Sequence, residues 1–381
     1  MAQAAYANPQ QRIGKWKGEI LSRAIPVEVL QIAGVQKTMP KNVGNTVVYR
    51  RWVPYGATVT NTNGIMTGGN SSVLVGPNTT TQELLDNGTN GNTVETMLVA
   101  NLRSAANEGV TPTAESIVAQ DVTVTLAQYA CLYSFTDVVA DLGEDDIEDA
   151  LKTQVAERIA LVRELELYSK VRAATNIFRA GGVAALNLVA TGLTGTLLRK
   201  IARSLANNHA KKQTSILAPS ANVGTKPIEA AYLVFCHTDI EAALRVTTDF
   251  PGYTPVAEYG SRKPMHENEL GSFEQFRFIA SPELVPYANA GVVVASAATM
   301  ETNDGVRVNV YPIIVTGQEA YGTVALRGSN AFDLSVIPVG TKDKNDPLGQ
   351  RGYVGAKFYA ASAVLNQQWM ALGLVCAPKL T

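Results

Sequence analysis

A chain of 381 residues exceeds one ordinary hydrophobic core and calls for two or three compact units. Apolar residues make up 46% of it and charged residues 17%, a globular composition that suits wide burial or large protein contacts rather than a heavily solvated surface. Thirty-two Lys and Arg stand against 33 Asp and Glu, and the net charge of -1 excludes the basic footprint of a tight nucleic-acid binder.

The opening MAQAAYANPQQRIGK has no apolar stretch behind a basic start, so no secretory signal is expected. The longest apolar runs, such as VVVASAA at 292–298, fall far short of a membrane span, and no membrane partner is expected. WKGEILSRAIPVEVLQIAG (16–34) has the spacing of one or two short amphipathic helices broken at Pro26, and reads as an arm. TVVYRRWV (46–53) predicts a strand. Residues 60–93 then turn almost wholly to Asn, Thr, Gly and Ser around short apolar islets, a composition that cannot easily build a core of its own. DVTVTLAQYACLYSFT (121–136) alternates, with Val122, Val124 and Leu126 on one face, and predicts one long strand. Two strands flanking a polar excursion predict an extended hairpin.

The strongest helix follows. LGEDDIEDALKTQVAERIALVRELELYSKVRAA (142–174) places Ile147, Leu151, Val155, Ile159 and Val162 on one stripe, without Pro or Gly after Gly143. Asp141, Glu144, Asp145, Asp146, Glu148 and Asp149 crowd its start, where the positive end of the helix dipole favours carboxylates. A calcium loop would need a glycine turn and a ligand spacing that this run lacks.

Beyond residue 195 the pattern is mixed. TLLRKIARSLANNHA (196–210) predicts a helix, AYLVFC (231–236) a buried strand, and TDIEAALRV (238–246) a helix opened by a Thr238–Glu241 capping box. FRFIA (276–280), GVVVASA (291–297) and VRVNVYPIIVTG (306–317) add strands, as do AFDLSVIPVG (331–340), YVGAKFYAASAVL (353–365) and QWMALGLVCAP (368–378).

Candidate chemistry is sparse. Gly349, Gly352 and Gly355 recur every third residue, but a phosphate loop needs G-x-G-x-x-G or G-x-x-x-x-G-K-[ST] between strand and helix, and no G-x-G occurs in the chain. The residues after Gly355 alternate like a strand, so these glycines are expected to allow bends and close backbone approach. His209, His237 and His266 lie too far apart in sequence to suggest a metal site. Cys131, Cys236 and Cys376 are odd in number and scattered, as expected of reduced thiols acting as small core residues, and Cys236 beside His237 ends an apolar strand. No G-x-S-x-G elbow occurs. No catalytic, cofactor-binding or metal-binding residue is therefore assigned, no cofactor is expected, and the chain is expected not to be an enzyme. Arg50 and Arg51 are the candidates for loose, sequence-independent DNA contact. On a strand they point to opposite faces, so at most one serves a given partner.

Several separate blocks nevertheless point one way. GNTVVYRRWVPYG (44–56), EGVTPTAESIVAQDVTVTLAQYACLYSFTDVV (108–139), PGYTPVAEYGSRKPMHENELGSFEQFRFIASPEL (251–284) and DPLGQRGYVGAKFYAASAVLNQQWMALGLVCAP (346–378) resemble, in order, tailed-bacteriophage major capsid proteins of the group typified by the podovirus N-four major head protein. The resemblance implies an α+β, Hong Kong 97-like fold. Its parts would be an N-terminal arm at 1–44, an extended loop at 45–125, a peripheral domain at 126–190 with a spine helix at 143–174, an axial domain at 191–330, and returning strands of the peripheral domain at 331–381. The run near 59–102 is an insertion relative to the family, and is expected to form an elaborated loop tip that packs on a neighbouring subunit or decorates the outer surface.

The implied function is structural. Copies would self-assemble as hexamers and pentamers into an icosahedral head around a double-stranded DNA genome, made in the host bacterial cytoplasm and resident in the virion. Decoration, scaffold and portal proteins would be partners, with loose non-specific contact to packaged DNA. An encapsulin-like nanocompartment shell, which shares the fold but stores cargo enzymes, is the alternative.

Overall fold

The computed structural model describes residues 28–40, 44–52, 119–143, 146–218, 224–246, 248–259, 264–296, 299–326, 332–342, 344 and 346–380. The expected arm up to residue 27, the polar run at 60–93 and the insertion near 59–102 lie outside them.

In chain order, a 3-10 helix at Leu30–Ala33 leads into β1 (Val35–Met39) and β2 (Thr46–Trp52). After residue 118 come β3 (Ala119–Thr125), β4 (Ala127–Thr136), α1 (Asp137–Leu142), α2 (Ile147–Val171), β5 (Ile177–Arg179) and α3 (Gly195–Asn207). Then follow β6 (Gln213–Ala218), β7 (Gly224–Cys236), α4 (Glu241–Leu244), β8 (Thr254–Pro255), β9 (Glu269–Phe273) and β10 (Phe276–Ala280). The last elements are β11 (Tyr311–Thr316), β12 (Tyr321–Leu326), β13 (Phe332–Ile337), β14 (Arg351–Val364) and β15 (Met370–Val375).

Two large sheets organise these elements. The eight-stranded one runs β5-β15-β11-β7-β10-β9-β8, with β6 also on β7. Its central strands are near-continuous apolar runs. FRFIA of β10, YPIIVT of β11 and MALGLV of β15 are buried at every position, the pattern of strands covered on both faces. Helix α3 covers part of it with Leu197, Leu198, Ile201, Ala202 and Leu205, and Thr194 caps its start by accepting from the Leu197 N–H.

The five-stranded sheet is built on the long β14. Antiparallel β4 runs along Arg351–Ala360, β13 along Tyr353–Phe358 and β12 along Ala360–Val364, while β1 adds parallel to β12. Helix α2 packs its N-terminal half against one face of this sheet, burying Val155 and Ile159 with Phe135, Val354, Ala356 and Phe358. Its C-terminal half, through Leu167, Tyr168 and Val171, belongs instead to the core of the eight-stranded sheet. At about 1.5 Å per residue α2 is roughly 37 Å long, enough for one rod to tie both sheets together. On the opposite face of the five-stranded sheet lies the antiparallel pair β2–β3, registered from Thr46↔Thr125 to Trp52↔Ala119. Tyr49 and Val124 of this pair share a cluster with Met39, Val324 and Ala361. The expected hairpin base is present.

Several sequence expectations need correction. The run 142–174 is not one helix: Gly143 takes an extended conformation, and Asp146 caps α2 by accepting from the Asp149 N–H, so the long helix starts at Ile147 and ends at Val171, inside the expected 143–174. The run 121–136 is not one strand. It breaks at Leu126, whose N–H donates to Asn45, so that β3 stays with the hairpin while β4 joins β14. Of the expected strand at 291–297, residues 291–296 are among those described and form no strand. Their pairing is one bridge, Val293↔Arg307, before the chain turns into a 3-10 helix at Val294–Ser296. The capping box at Thr238 is replaced by His237, whose Nδ1 accepts from the Asp239 N–H at 3.2 Å, and α4 ends at Leu244.

Sheet membership also crosses the expected domain boundaries. β5, within 126–190, pairs with β15 of the eight-stranded sheet. β12, within 191–330, belongs to the five-stranded sheet, and β15, within 331–381, crosses back to the eight-stranded one. The physical reason is that β11 and β12 are separated only by residues 317–320, so the chain leaves one sheet and enters the other in a single tight step, with Glu319 at φ 60°. Residues 28–39 of the expected arm are part of the body, not an outlying limb: Val29, Leu30, Ile32 and Ala33 are buried in the main core.

Candidate functional site

The glycine repeat serves backbone contact. Gly352 stands opposite Phe135 in the β4–β14 register, and a Cβ there would lie 2.3 Å from the Phe135 ring. Gly355 lies beneath Leu132, and Gly349, at φ +69°, makes a turn held by Gly340 N–H to Gly349 O at 2.8 Å. None of the three opens a helix.

Cys236 and Cys376 are fully buried, with Sγ directed at the carbonyl oxygens of Ile279 and Val189, and Cys131 is half-buried beside the α2 cluster. Burial pushes the Cys236 thiol up to about 12 and the Cys376 thiol up to about 11, which leaves both as neutral, unreactive groups at neutral pH. The three histidines stay apart in function. His237 caps the 3-10 turn, buried His266 accepts from the Asn268 N–H, and His209 follows α3 at φ 55°. Among the described residues no group of three His, Cys, Asp or Glu converges on a point.

The acidic run at the start of α2 is spent on the helix. Asp146 caps it, and Lys152 bonds Glu148 at 2.8 Å and Asp149 at 3.1 Å; Glu144 and Asp145 lie outside the described residues. Arg50 meets Asp121 across the hairpin in a bidentate pair, both bonds 2.8 Å, so its charge is already answered. The Arg51 side chain lies outside the described residues. A depression of about 350 Å³ lies beside Thr238, Glu267, Leu270, Pro282 and Glu283. The deepest acid there, Glu269, is engaged by Arg277 Nε at 2.8 Å, Tyr259 Oη at 2.8 Å and the Met265 N–H at 2.6 Å.

What sequence reading missed is the junction where residues 28–39, the hairpin and α2 interlock. Arg163 on α2 donates to Glu28 at 2.9 Å and to Gln31 at 2.8 Å. Glu164, fully buried, accepts from the Leu30 N–H at 2.8 Å. Tyr321 Oη donates to the Leu30 carbonyl, and Gln213 Nε2 to the carbonyls of Ala33 at 3.2 Å and Gly317 at 3.1 Å. Ser362 donates to Glu166, and Tyr49 Oη to the Thr323 carbonyl at 3.0 Å, which fixes the hairpin to β12. A signal was present in the helix: the buried positions Ala160, Leu167 and Val171 share a face with Glu164, an acid where an apolar residue belongs.

No protein-family model matches the chain. A curated relative, the major capsid protein of Pseudomonas phage KPP21, is 26% identical over 190 residues, which is 48% of this chain and 48% of the relative. The match thus spans about half the length of that protein. Among solved structures, the capsid of Ralstonia phage GP4 superposes with a TM-score of 0.56 at 11% identity, covering 99% of this chain and 98% of that one. The capsid of cyanophage Pam1 gives 0.53 at 13% identity, over 99% and 98%. The chain therefore has the α+β, Hong Kong 97-like fold of phage capsid proteins, and across 48% of its length it is related in sequence to a phage major capsid protein.

Proposed function

We propose that this chain is a major capsid protein whose copies assemble, as hexamers and pentamers, into the icosahedral head that encloses a phage double-stranded DNA genome. One observation carries the reading: kinship in sequence to a major capsid protein belongs to a chain that follows capsid folds over nearly its whole length. In this reading the work is mechanical and needs no catalytic residue. The five-stranded sheet with α2 is the peripheral domain and the eight-stranded sheet the axial domain around the capsomer centre. The segments that lead away from Glu28 and from the β2–β3 pair contact neighbouring copies. The protein is made in the host cytoplasm and resides in the virion, with scaffold, portal and decoration proteins as its partners. Contact with packaged DNA is loose, because the net charge is -1 and Arg50 is paired with Asp121.

Expression of the full chain, followed by sedimentation and negative-stain microscopy, tests this. Regular shells or capsomers are expected, and a monodisperse monomer across the micromolar range overturns the reading. Particles purified with a cargo enzyme in place of DNA-packaging partners would point to the nanocompartment alternative.

A further inference from the structure

Helix α2 carries an acid in a place where ionisation is hard to accommodate. Glu164 has no exposed surface, and its Oε1 accepts from the Leu30 N–H while its Oε2 finds no hydrogen-bond partner among the described residues. An ionised carboxylate with an unanswered oxygen in an apolar interior is costly.

The charged and titratable groups around it do not help. From the 28–33 segment comes Glu28, whose own charge faces Arg163, and from the 281–285 turn comes Glu283; both raise the cost of a charge on Glu164. From β12 comes the buried Tyr321 hydroxyl, which donates to the Leu30 carbonyl instead. On α2 itself, Arg163 is engaged by Glu28 and Gln31, Glu166 accepts from Ser362, and the Tyr168 hydroxyl donates to the Val285 carbonyl at 2.7 Å. The nearby amide of β6, Gln213, is committed to the Ala33 and Gly317 carbonyls.

We propose that Glu164 is a protonation-dependent latch: as a neutral acid it anchors residues 28–33 between α2 and the two sheets, and loss of its proton to solvent favours release of that segment. The segment is well placed to act as a moving part. It is short, its regular structure is a single 3-10 turn at Leu30–Ala33 ahead of β1, and the chain before Glu28 leads into it. Its apolar residues Val29, Leu30, Ile32 and Ala33 hold it in the core when the latch is closed.

Burial pushes the Glu164 carboxyl up to about 8, outweighing the Leu30 and Val29 backbone N–H groups, which favour its charge. The sign follows from linkage. A carboxyl raised in the closed state and near 4.5 once released holds its proton more tightly when closed. Closure is therefore strongest below about pH 4.5, weakens as pH rises toward about 8, and changes no further above that.

Hydrogen exchange on the full-length chain reads this directly. After correction for intrinsic base catalysis, the opening equilibrium of the peptide spanning residues 28–39 is expected to rise on the order of tenfold per pH unit between pH 5.5 and 7.5. In Glu164→Gln, which keeps an acceptor for the Leu30 N–H, the slope is expected to vanish, while Glu28→Gln retains it. An unchanged slope in Glu164→Gln, or a flat profile in the wild type, overturns the proposal. Should Glu164→Gln fail to fold, infrared spectroscopy of the wild-type chain decides. A protonated-acid carbonyl band is expected at pH 7 and gone by pH 9.5, and its absence at pH 7 overturns the latch.

Discussion

In the eight-stranded sheet β10, β11 and β15 are buried at every position, whereas along β4 of the five-stranded sheet burial alternates and Leu132 stays 57% exposed. The first sheet is covered on both faces and shares one large cluster with α3, the C-terminal half of α2 and residues 29–33. The second is thin. It has α2 on one face, the β2–β3 pair over part of the other, and two small clusters between them. The difference teaches where this molecule keeps its own stability and where it leaves surface for contact: one sheet is a self-sufficient core, the other a platform whose apolar side chains are only half covered.

The largest test of that contrast is truncation in each region. Phe278→Ala in the eight-stranded sheet is expected to cost about 3–5 kcal/mol, and Ile159→Ala on α2 about 2 kcal/mol. Urea unfolding of the two variants measures the difference, and a reversed order would break the comparison. A smaller effect sharpens it inside the platform. Gly352→Ala forces a methyl against the Phe135 ring and is expected to cost about 1–3 kcal/mol, despite the alanine's better backbone propensity. In a Phe135→Leu background the same change should cost less, so strictly additive losses in the double-mutant cycle would refute the contact. The smallest effect lies at the hairpin. The Arg50–Asp121 pair is exposed, and Asp121→Asn is expected to leave the melting temperature within error at physiological salt. A clear drop in a thermal scan would mean that the pair holds the hairpin in place.

Much of this contrast was legible in the sequence. FRFIA and the β14 run were readable as strands because uninterrupted or alternating apolar residues leave few other ways to bury them. The glycine repeat was readable as strand backbone, and Gly352 and Gly355 lie within β14 itself. The errors fall at junctions. Leu126 continues the alternation of its neighbours, yet its N–H is drawn to Asn45, and that long-range bond decides that the run divides between two sheets. GVVVASA has strand composition, but it makes a single bridge, Val293↔Arg307, before a 3-10 helix at Val294–Ser296. Glu164 was readable as an oddity on a buried face, but nothing local says that its partner is the backbone of Leu30, well over a hundred positions away.

The sequence by itself determined the elements and their class: an amphipathic rod, runs of buried strand, a hairpin base, and cysteines and glycines suited to packing. Local periodicity and turn chemistry act over a few residues, and that range is enough to set them. The tertiary structure alone decided which strand joins which sheet, that α2 spans both cores, and that residues 28–33 are locked against a buried acid. Those outcomes depend on pairings between residues far apart in the chain, whose free energy exists only once the surfaces have come together and water has left them.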